Sequence, residues 1–118
     1  MCHVLIIEDE PIIAQLLQDL LEDEGATSFA IADSQEAAVA SAMAERPAFI
    51  TSDVKLTHGT GPLAVSTIHQ RLGTIPVVFI TGTPDECSPC DPPGRIFSKP
   101  LDRGAIAAAF HELGPIPL

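Results

Sequence analysis

The most constraining feature of the sequence is a regular alternation between short β-rich runs and longer segments with helical spacing. Five apolar runs recur along the chain, and helical segments follow four of them. Such alternation predicts a parallel sheet with helices on both faces. Right-handed crossovers and one change of winding direction make it a doubly wound α/β fold. We expect strands at 3–7, 27–32, 48–52, 76–80 and 95–98, and helices at 11–24, 34–45, 63–72 and 103–113.

Length and charge limit the possible classes of function. The 118 residues fit one domain, so we expect residues 1–118 to form a single unit. The net charge of −10, from 16 acidic and 6 basic residues, disfavours DNA as a partner. No apolar run approaches the ~20 residues that span a bilayer, and the N-terminus lacks the features of a signal peptide. We therefore expect a cytoplasmic protein with no membrane partner.

Polar side chains that are able to bind a ligand or take part in a reaction lie where the predicted strands end. The residues concerned are Glu8 and Asp9 after strand 1, Asp53 after strand 3, Thr81 after strand 4 and Lys99 after strand 5. In a doubly wound sheet, ligands bind at the carboxyl ends of the strands. Each residue alone could be a turn former, a strand residue or a solvated charge. Their occurrence together at one edge favours a shared functional site.

This order of motifs resembles the response regulator receiver domain, the CheY-like family with a flavodoxin-like fold. The matching stretches are 4–10 (VLIIEDE), 50–56 (ITSDVKL), 78–82 (VFITG) and 97–100 (FSKP). The resemblance covers essentially the whole chain and implies a five-stranded parallel sheet in the order 2-1-3-4-5. It also implies a stand-alone receiver, because the predicted elements fill the chain and leave no output domain.

The resemblance implies a phosphoryl-accepting signalling domain rather than an enzyme. Asp53 would be the phospho-acceptor, and the donor would be a phosphohistidine of a sensor histidine kinase or a phosphotransfer protein. Mg²⁺ would be the cofactor, because hard divalent cations prefer oxygen ligands. Its ligands would be Asp9, Asp53 and the backbone carbonyl of Lys55, with Glu8 adjacent or acting through water.

By the same resemblance, two further residues would complete the site. Lys99 would pair with a phosphoryl oxygen, and the Lys99–Pro100 bond would be cis. The Thr81 hydroxyl would donate to another phosphoryl oxygen and pull the following loop inward. Most receivers have Tyr or Phe three residues before the lysine, where this chain has Ile96, followed by Phe97. This departure puts the usual coupling between the threonine and an aromatic ring in question.

The segment between strands 4 and 5 differs from the rest of the chain. Prolines at 84, 89, 92 and 93 leave little room for a helix, so the fourth crossover helix is expected to be short or missing. We expect residues 82–94 to be mobile and to change order on phosphorylation. Cys87 and Cys90 form a CxxC in this segment, but no second ligand pair accompanies them. We therefore interpret them as incidental thiols rather than a zinc site.

The stretch 79–83 (FITGT) resembles the FAT GUY subgroup of single-domain receivers and the receivers of PhyR-type general stress regulators. That resemblance implies a phosphodonor kinase of the HWE/HisKA_2 type. Three roles stay open, namely phosphate sink, relay and phosphorylation-switched binding partner, and we favour sink or relay. Two other classes are a phosphatase with an aspartyl-phosphate intermediate and a pseudo-receiver that only binds proteins. The phosphatase would need an acid where Lys55 stands, and the complete set of strand-end residues disfavours the pseudo-receiver.

Overall fold

The structure, a computed structural model, describes residues 2–82 and 94–113. The described strands form one parallel sheet in the order β2-β1-β3-β4-β5, which confirms the predicted doubly wound topology. The elements are β1 (His3–Ile7), α1 (Pro11–Asp23), β2 (Ser28–Ala32), α2 (Gln35–Ala44), β3 (Phe49–Ser52), α3 (Gly61–Leu72), β4 (Val77–Thr81), β5 (Gly94–Ser98) and α4 (Arg103–Leu113).

Local sequence signals set where the helices begin and end. The side chains of Ser34, Thr60 and Asp102 accept hydrogen bonds from backbone N–H groups in the first turns of α2, α3 and α4. These caps satisfy donors that have no partner within the helix. Gly25 and Gly73, which follow α1 and α3, have φ values of 110° and 86°, which glycine adopts without steric strain.

The sheet is buried on both faces by two hydrophobic cores. On the side of α1 and α4, Phe49 and Phe110 pack edge to face with ring centroids 5.0 Å apart. On the other face, the small residues Ala38 and Ala42 let α2 lie close to the sheet, and Ile68 packs beside them from α3. Because β1, β3 and β4 lie between these layers, their ends form a well-supported edge.

Two helix predictions need correction. In α1, pairs of apolar residues recur every four positions from Ile12 to Leu21, which predicts one wide buried stripe. Ile12 is nevertheless 76% exposed, because neighbouring helical residues point about 100° apart. Helix α3 begins at Gly61 rather than Leu63, since Thr60 caps it and Pro62 fits the first turn. In this longer helix Leu63 faces solvent, although the sequence marks it as available for burial.

The predictions for the segment between β4 and β5 fall on residues 83–93, which lie outside the described residues. They concern the short or missing helix, the change of order on phosphorylation and the incidental CxxC at Cys87 and Cys90. Among the described helices, none combines the length and the apolar character that a membrane crossing requires.

Candidate functional site

The register of β1 and β3 brings the acidic residues together. The two strands are parallel neighbours, with Ile7 opposite Ser52. The residues that follow, Glu8 and Asp9 on one strand and Asp53 on the other, therefore meet at the carboxyl edge. The backbone N–H of Asp53 donates to the carbonyl of Ile7 at 2.8 Å, which fixes this register beyond the last paired residues.

The ends of β4 and β5 bring the predicted hydroxyl and ammonium groups to the same edge. Thr81 is paired with Ser98, and the backbone N–H of Lys99 donates to the carbonyl of Thr81 at 2.8 Å. The Thr81 side chain is buried. The Lys99–Pro100 peptide bond is cis, as the family resemblance implies.

Four carboxylates form a compact cluster at this edge. Glu8, Asp9, Glu10 and Asp53 each offer a carboxylate oxygen, and these oxygens all lie within 4.8 Å of one another. Glu10 is not among the residues predicted for the site, although it stands in the acidic run that follows β1. When all four are ionised, mutual repulsion is strong and the cluster needs positive charge.

Lys99 supplies positive charge at the centre of this cluster. Its Nζ lies 3.2 Å from Oδ2 of Asp53, 3.4 Å from Oε1 of Glu8 and 3.3 Å from Oε1 of Glu10. Burial alone would lower the pKa of Lys99, but the negative charges of Glu8 and Asp53 outweigh it and raise the pKa. The Lys99 ammonium offsets only one of the four formal negative charges of these carboxylates.

Among the four carboxylates, Glu8 has the least favourable environment for a negative charge. It is only 2% exposed, and burial together with the charge of Asp53 raises its pKa to about 7. Its Oε2 accepts a hydrogen bond from the backbone N–H of Glu10 at 3.2 Å. Its Oε1 is buried and accepts no hydrogen bond from the described residues, although Lys99 lies within ion-pair distance. The ionised form of Glu8 is therefore stabilised by nearby positive charge.

Asp9 lies nearer the surface than Glu8, and Thr57 in the loop after β3 fixes the orientation of its carboxylate. Its Oδ2 accepts hydrogen bonds from both the backbone N–H and the hydroxyl of Thr57, at 2.8 and 2.9 Å. Burial alone would raise the pKa of Asp9, but the two bonds from Thr57 stabilise the carboxylate and the net pKa is lowered. Asp9 is therefore a charged and oriented ligand at neutral pH.

Asp53 is positioned by its own strand end and by helix α3. Its Oδ1 accepts a hydrogen bond from the backbone N–H of Val54 at 2.7 Å, while Oδ2 faces Lys99. Its backbone carbonyl accepts the Ser52 hydroxyl at 2.8 Å. The N–H of Gly61, the first residue of α3, donates to the carbonyl of Val54 at 2.9 Å. The carboxylate thus has a fixed direction and remains 8% exposed at the edge.

An open cleft of about 440 Å³ lies over these residues. It gives a partner access to Asp53, which is among its lining residues, and its volume can hold a phosphoryl group and an ion. Three lining residues were not predicted from the sequence, namely Glu10, Thr57 and Gly82. The assigned residues that line it are Asp9, Asp53, Lys55, Thr81 and Lys99.

The residue that departs from the usual receiver pattern lies away from this cleft. Ile96 is 44% exposed on β5, and Phe97 packs against the core that contains α1 and α4. The neighbouring side chains point to opposite faces, as alternation along a strand requires. An apolar residue therefore stands on the outer face at the position where most receivers have an aromatic ring.

The residues at the edge fit a small hard cation. Mg²⁺ prefers carboxylate and carbonyl oxygens, and the cluster offers several within the span of one ion. The buried Oε1 of Glu8 lacks a hydrogen bond from the described residues, and the cluster keeps an excess of negative charge. An added cation would stabilise this oxygen and offset the negative charge of the cluster, so the donor set fits Mg²⁺.

Comparison with known proteins agrees with this geometry. The sequence profile of the response regulator receiver domain family matches residues 4–89. The chain is 31% identical over 113 residues to the phyllosphere-induced regulator PhyR of Methylorubrum extorquens, and the match covers 93% of this chain and 42% of PhyR. The chain thus spans less than half the length of this relative.

Solved structures give the same result. The receiver domain of the Erythrobacter litoralis response regulator PhyR superposes with a TM-score of 0.85 at 27% identity, covering 99% of this chain and 95% of that one. A double mutant of the anti-anti-sigma factor PhyR from Bartonella quintana superposes with a TM-score of 0.78 at 31% identity, covering 92% and 46%. The chain therefore belongs to the response regulator receiver domain family, whose members are signalling domains of two-component systems.

Proposed function

We propose that this protein accepts a phosphoryl group on Asp53, in a magnesium-dependent transfer from a histidine kinase or a phosphotransfer protein. One observation carries the proposal. The Asp53 carboxylate faces an open cleft, 3.2 Å from the Lys99 ammonium and within 4.8 Å of three other carboxylates. This combination provides a nucleophile, a cation for the phosphoryl group and ligands for a metal ion.

In the transfer, a carboxylate oxygen of Asp53 forms a bond to phosphorus, and the bond from phosphorus to the imidazole nitrogen of the donor histidine breaks. The imidazole leaves with its electron pair and is protonated. Because such transition states are loose, catalysis depends mainly on positioning and on neutralising charge. Lys99 neutralises a phosphoryl oxygen, and the Thr81 hydroxyl donates to another.

Asp9, Asp53 and the backbone carbonyl of Lys55 hold Mg²⁺ in this proposal, with Glu8 adjacent or acting through water. When bound, the ion neutralises phosphoryl oxygens and offsets the repulsion among the carboxylates. Support comes from the lowered pKa of Asp9, whose two hydrogen bonds from Thr57 keep the ligand ionised.

The similarity to PhyR supports a role in general stress signalling, with a donor kinase of the HWE/HisKA_2 type. In this proposal the protein is a cytoplasmic single receiver domain that acts as a phosphate sink or relay. A phosphorylation-switched binding partner is the other role, favoured by the exposed Ile96 on β5. The rate at which the phosphoryl group leaves Asp53 separates these roles, because a sink releases it quickly.

The first test follows a radioactive phosphoryl group. The protein is incubated with a phosphorylated kinase of the HWE/HisKA_2 type and Mg²⁺. We expect label on the wild type, removable by hydroxylamine as an acyl phosphate requires, and none on Asp53→Asn. A thermal melt of the variant controls for folding. Equal labelling of the two proteins, or no label on the wild type from any kinase or from acetyl phosphate, would contradict the proposal.

A second prediction concerns the metal ion. Because a ligand that binds only the folded state stabilises it, Mg²⁺ at ten times its dissociation constant should add about 1.4 kcal/mol to the free energy of unfolding. Asp53→Ala should gain much less, because it lacks one ligand. Urea denaturation with and without Mg²⁺ measures both gains. Equal gains would place the ion at another site.

A further inference from the structure

Thr57 makes an unusual pair of contacts with the metal-site carboxylate of Asp9. Its backbone N–H and its hydroxyl both donate to the same oxygen, Oδ2, although the two residues are 48 positions apart. Because both donors share one oxygen, the carboxylate can still offer the other oxygen to an ion. Thr57 itself lies in the exposed loop that connects β3 and α3.

That loop is fastened to the start of helix α2. The backbone N–H of Gln35 donates to the carbonyl of His58 at 3.0 Å, and Oε1 of Gln35 accepts the backbone N–H of Thr60 at 3.0 Å. Between them, Gly59 has a φ of 88°, and a Cβ added there would lie 2.4 Å from Cβ of Gln35. The close approach leaves the loop little freedom, so Thr57 has a defined position.

We infer that Thr57 is a positioning residue of the metal site, which holds Asp9 ready to bind Mg²⁺ through a loop fastened to α2 by Gln35. The inference rests on the proposed function, because it concerns the same ion. Rotation about χ2, which turns the carboxylate group of an aspartate, has broad energy minima. An aspartate without hydrogen bonds therefore samples many orientations. Two donors at one oxygen remove that freedom before the ion arrives, which favours binding.

Competition would have the opposite effect, because hydrogen bonds to a carboxylate oxygen compete with a metal ion for that oxygen. The two cases predict opposite changes when the hydroxyl of Thr57 is removed. Preorganisation predicts weaker binding of Mg²⁺, and competition predicts tighter binding. The use of a single oxygen by both donors favours preorganisation.

The test compares Thr57→Val, which keeps the shape but loses the hydroxyl, with Thr57→Ser, which keeps the hydroxyl. Calorimetric titration with Mg²⁺ alone measures the affinities. We expect Thr57→Val to weaken binding about threefold to tenfold, within the range for outer-shell partners of metal ligands. Thr57→Ser should stay within about twofold. Because Thr57 is exposed, both variants should remain folded without metal, which a thermal melt of each checks.

A second variant tests the fastening to α2. Gln35→Ala removes the acceptor for the Thr60 N–H and should weaken Mg²⁺ binding in the same direction. Unchanged or tighter binding in Thr57→Val would overturn the inference, even if the wild type accepts label on Asp53. If the wild type binds Mg²⁺ and Thr57→Val binds it less well but no kinase transfers label, the inference stands and the proposed function fails. A wild type that does not bind Mg²⁺ would overturn both.

Discussion

Gly61→Ala is expected to destabilise the protein strongly, by about 3 kcal/mol. A Cβ at this position would lie 1.8 Å from the backbone oxygen of Asp53 and 2.1 Å from Oγ of Ser52. Rotation of a side chain cannot relieve the contact with the backbone oxygen of Asp53. Helix α3 would have to move away from β3, and the hydrogen bond from the Gly61 N–H to Val54 would be lost.

The same substitution at Gly104 provides a matched control. Gly104 lies in the first turn of α4, and the nearest atom to an added Cβ is Oδ1 of Asp102 at 3.6 Å, an ordinary contact. Alanine there should be neutral or stabilising by up to about 1 kcal/mol, because it reduces the freedom of the unfolded chain. Urea denaturation of both variants measures the difference. Similar urea denaturation midpoints for the two variants would show that α3 does not lie in close contact with the backbone of Asp53.

The sheet and most of the site could be predicted because both follow from periodic features of the sequence. Alternation of strands and helices predicts a parallel doubly wound sheet, the family resemblance implies its strand order, and parallel strands bring the residues that follow them to one edge. Asp53 and Lys99 are 46 residues apart, yet their meeting follows from the edge rule together with the strand order that the resemblance implies. The cap of α4 was also predictable, because the short polar residue Asp102 precedes this helical segment.

The contacts that refine the site could not be predicted, because they depend on how loops close. Thr57 and Gln35 are ordinary loop and helix residues in the sequence, and no spacing rule connects Thr57 with Asp9. Gly61 could be seen only as part of a glycine-containing loop, since its close approach to Asp53 depends on how α3 docks. Glu10 carried a weak signal as the third acid in a run. Its contact with Lys99 needed the geometry of the strand ends.

Glu8→Gln is expected to raise the free energy of unfolding of the metal-free protein at pH 8 by on the order of 2 kcal/mol. Burial and the charge of Asp53 raise the pKa of Glu8 to about 7 in the folded state, above the ordinary value of 4.5. The folded protein therefore binds this proton more tightly than the unfolded chain does. The wild type gains stability as the pH falls from about 7 towards 4.5 and loses it as the pH rises.

Glutamine does not titrate, so Glu8→Gln removes this dependence on pH. Its advantage should be full at pH 8 and largely absent at pH 5, as urea denaturation in the presence of a chelator would measure. Glu22→Gln, on the exposed face of α1, removes the same charge without burial and controls for the net charge of −10. Saturating Mg²⁺ should shrink or reverse the advantage, because the ion favours the carboxylate that glutamine lacks. An advantage independent of both pH and Mg²⁺ would mean that the charge of Glu8 does not strain the cluster. The site would then gain little from binding a cation, and the acidic edge would need another explanation.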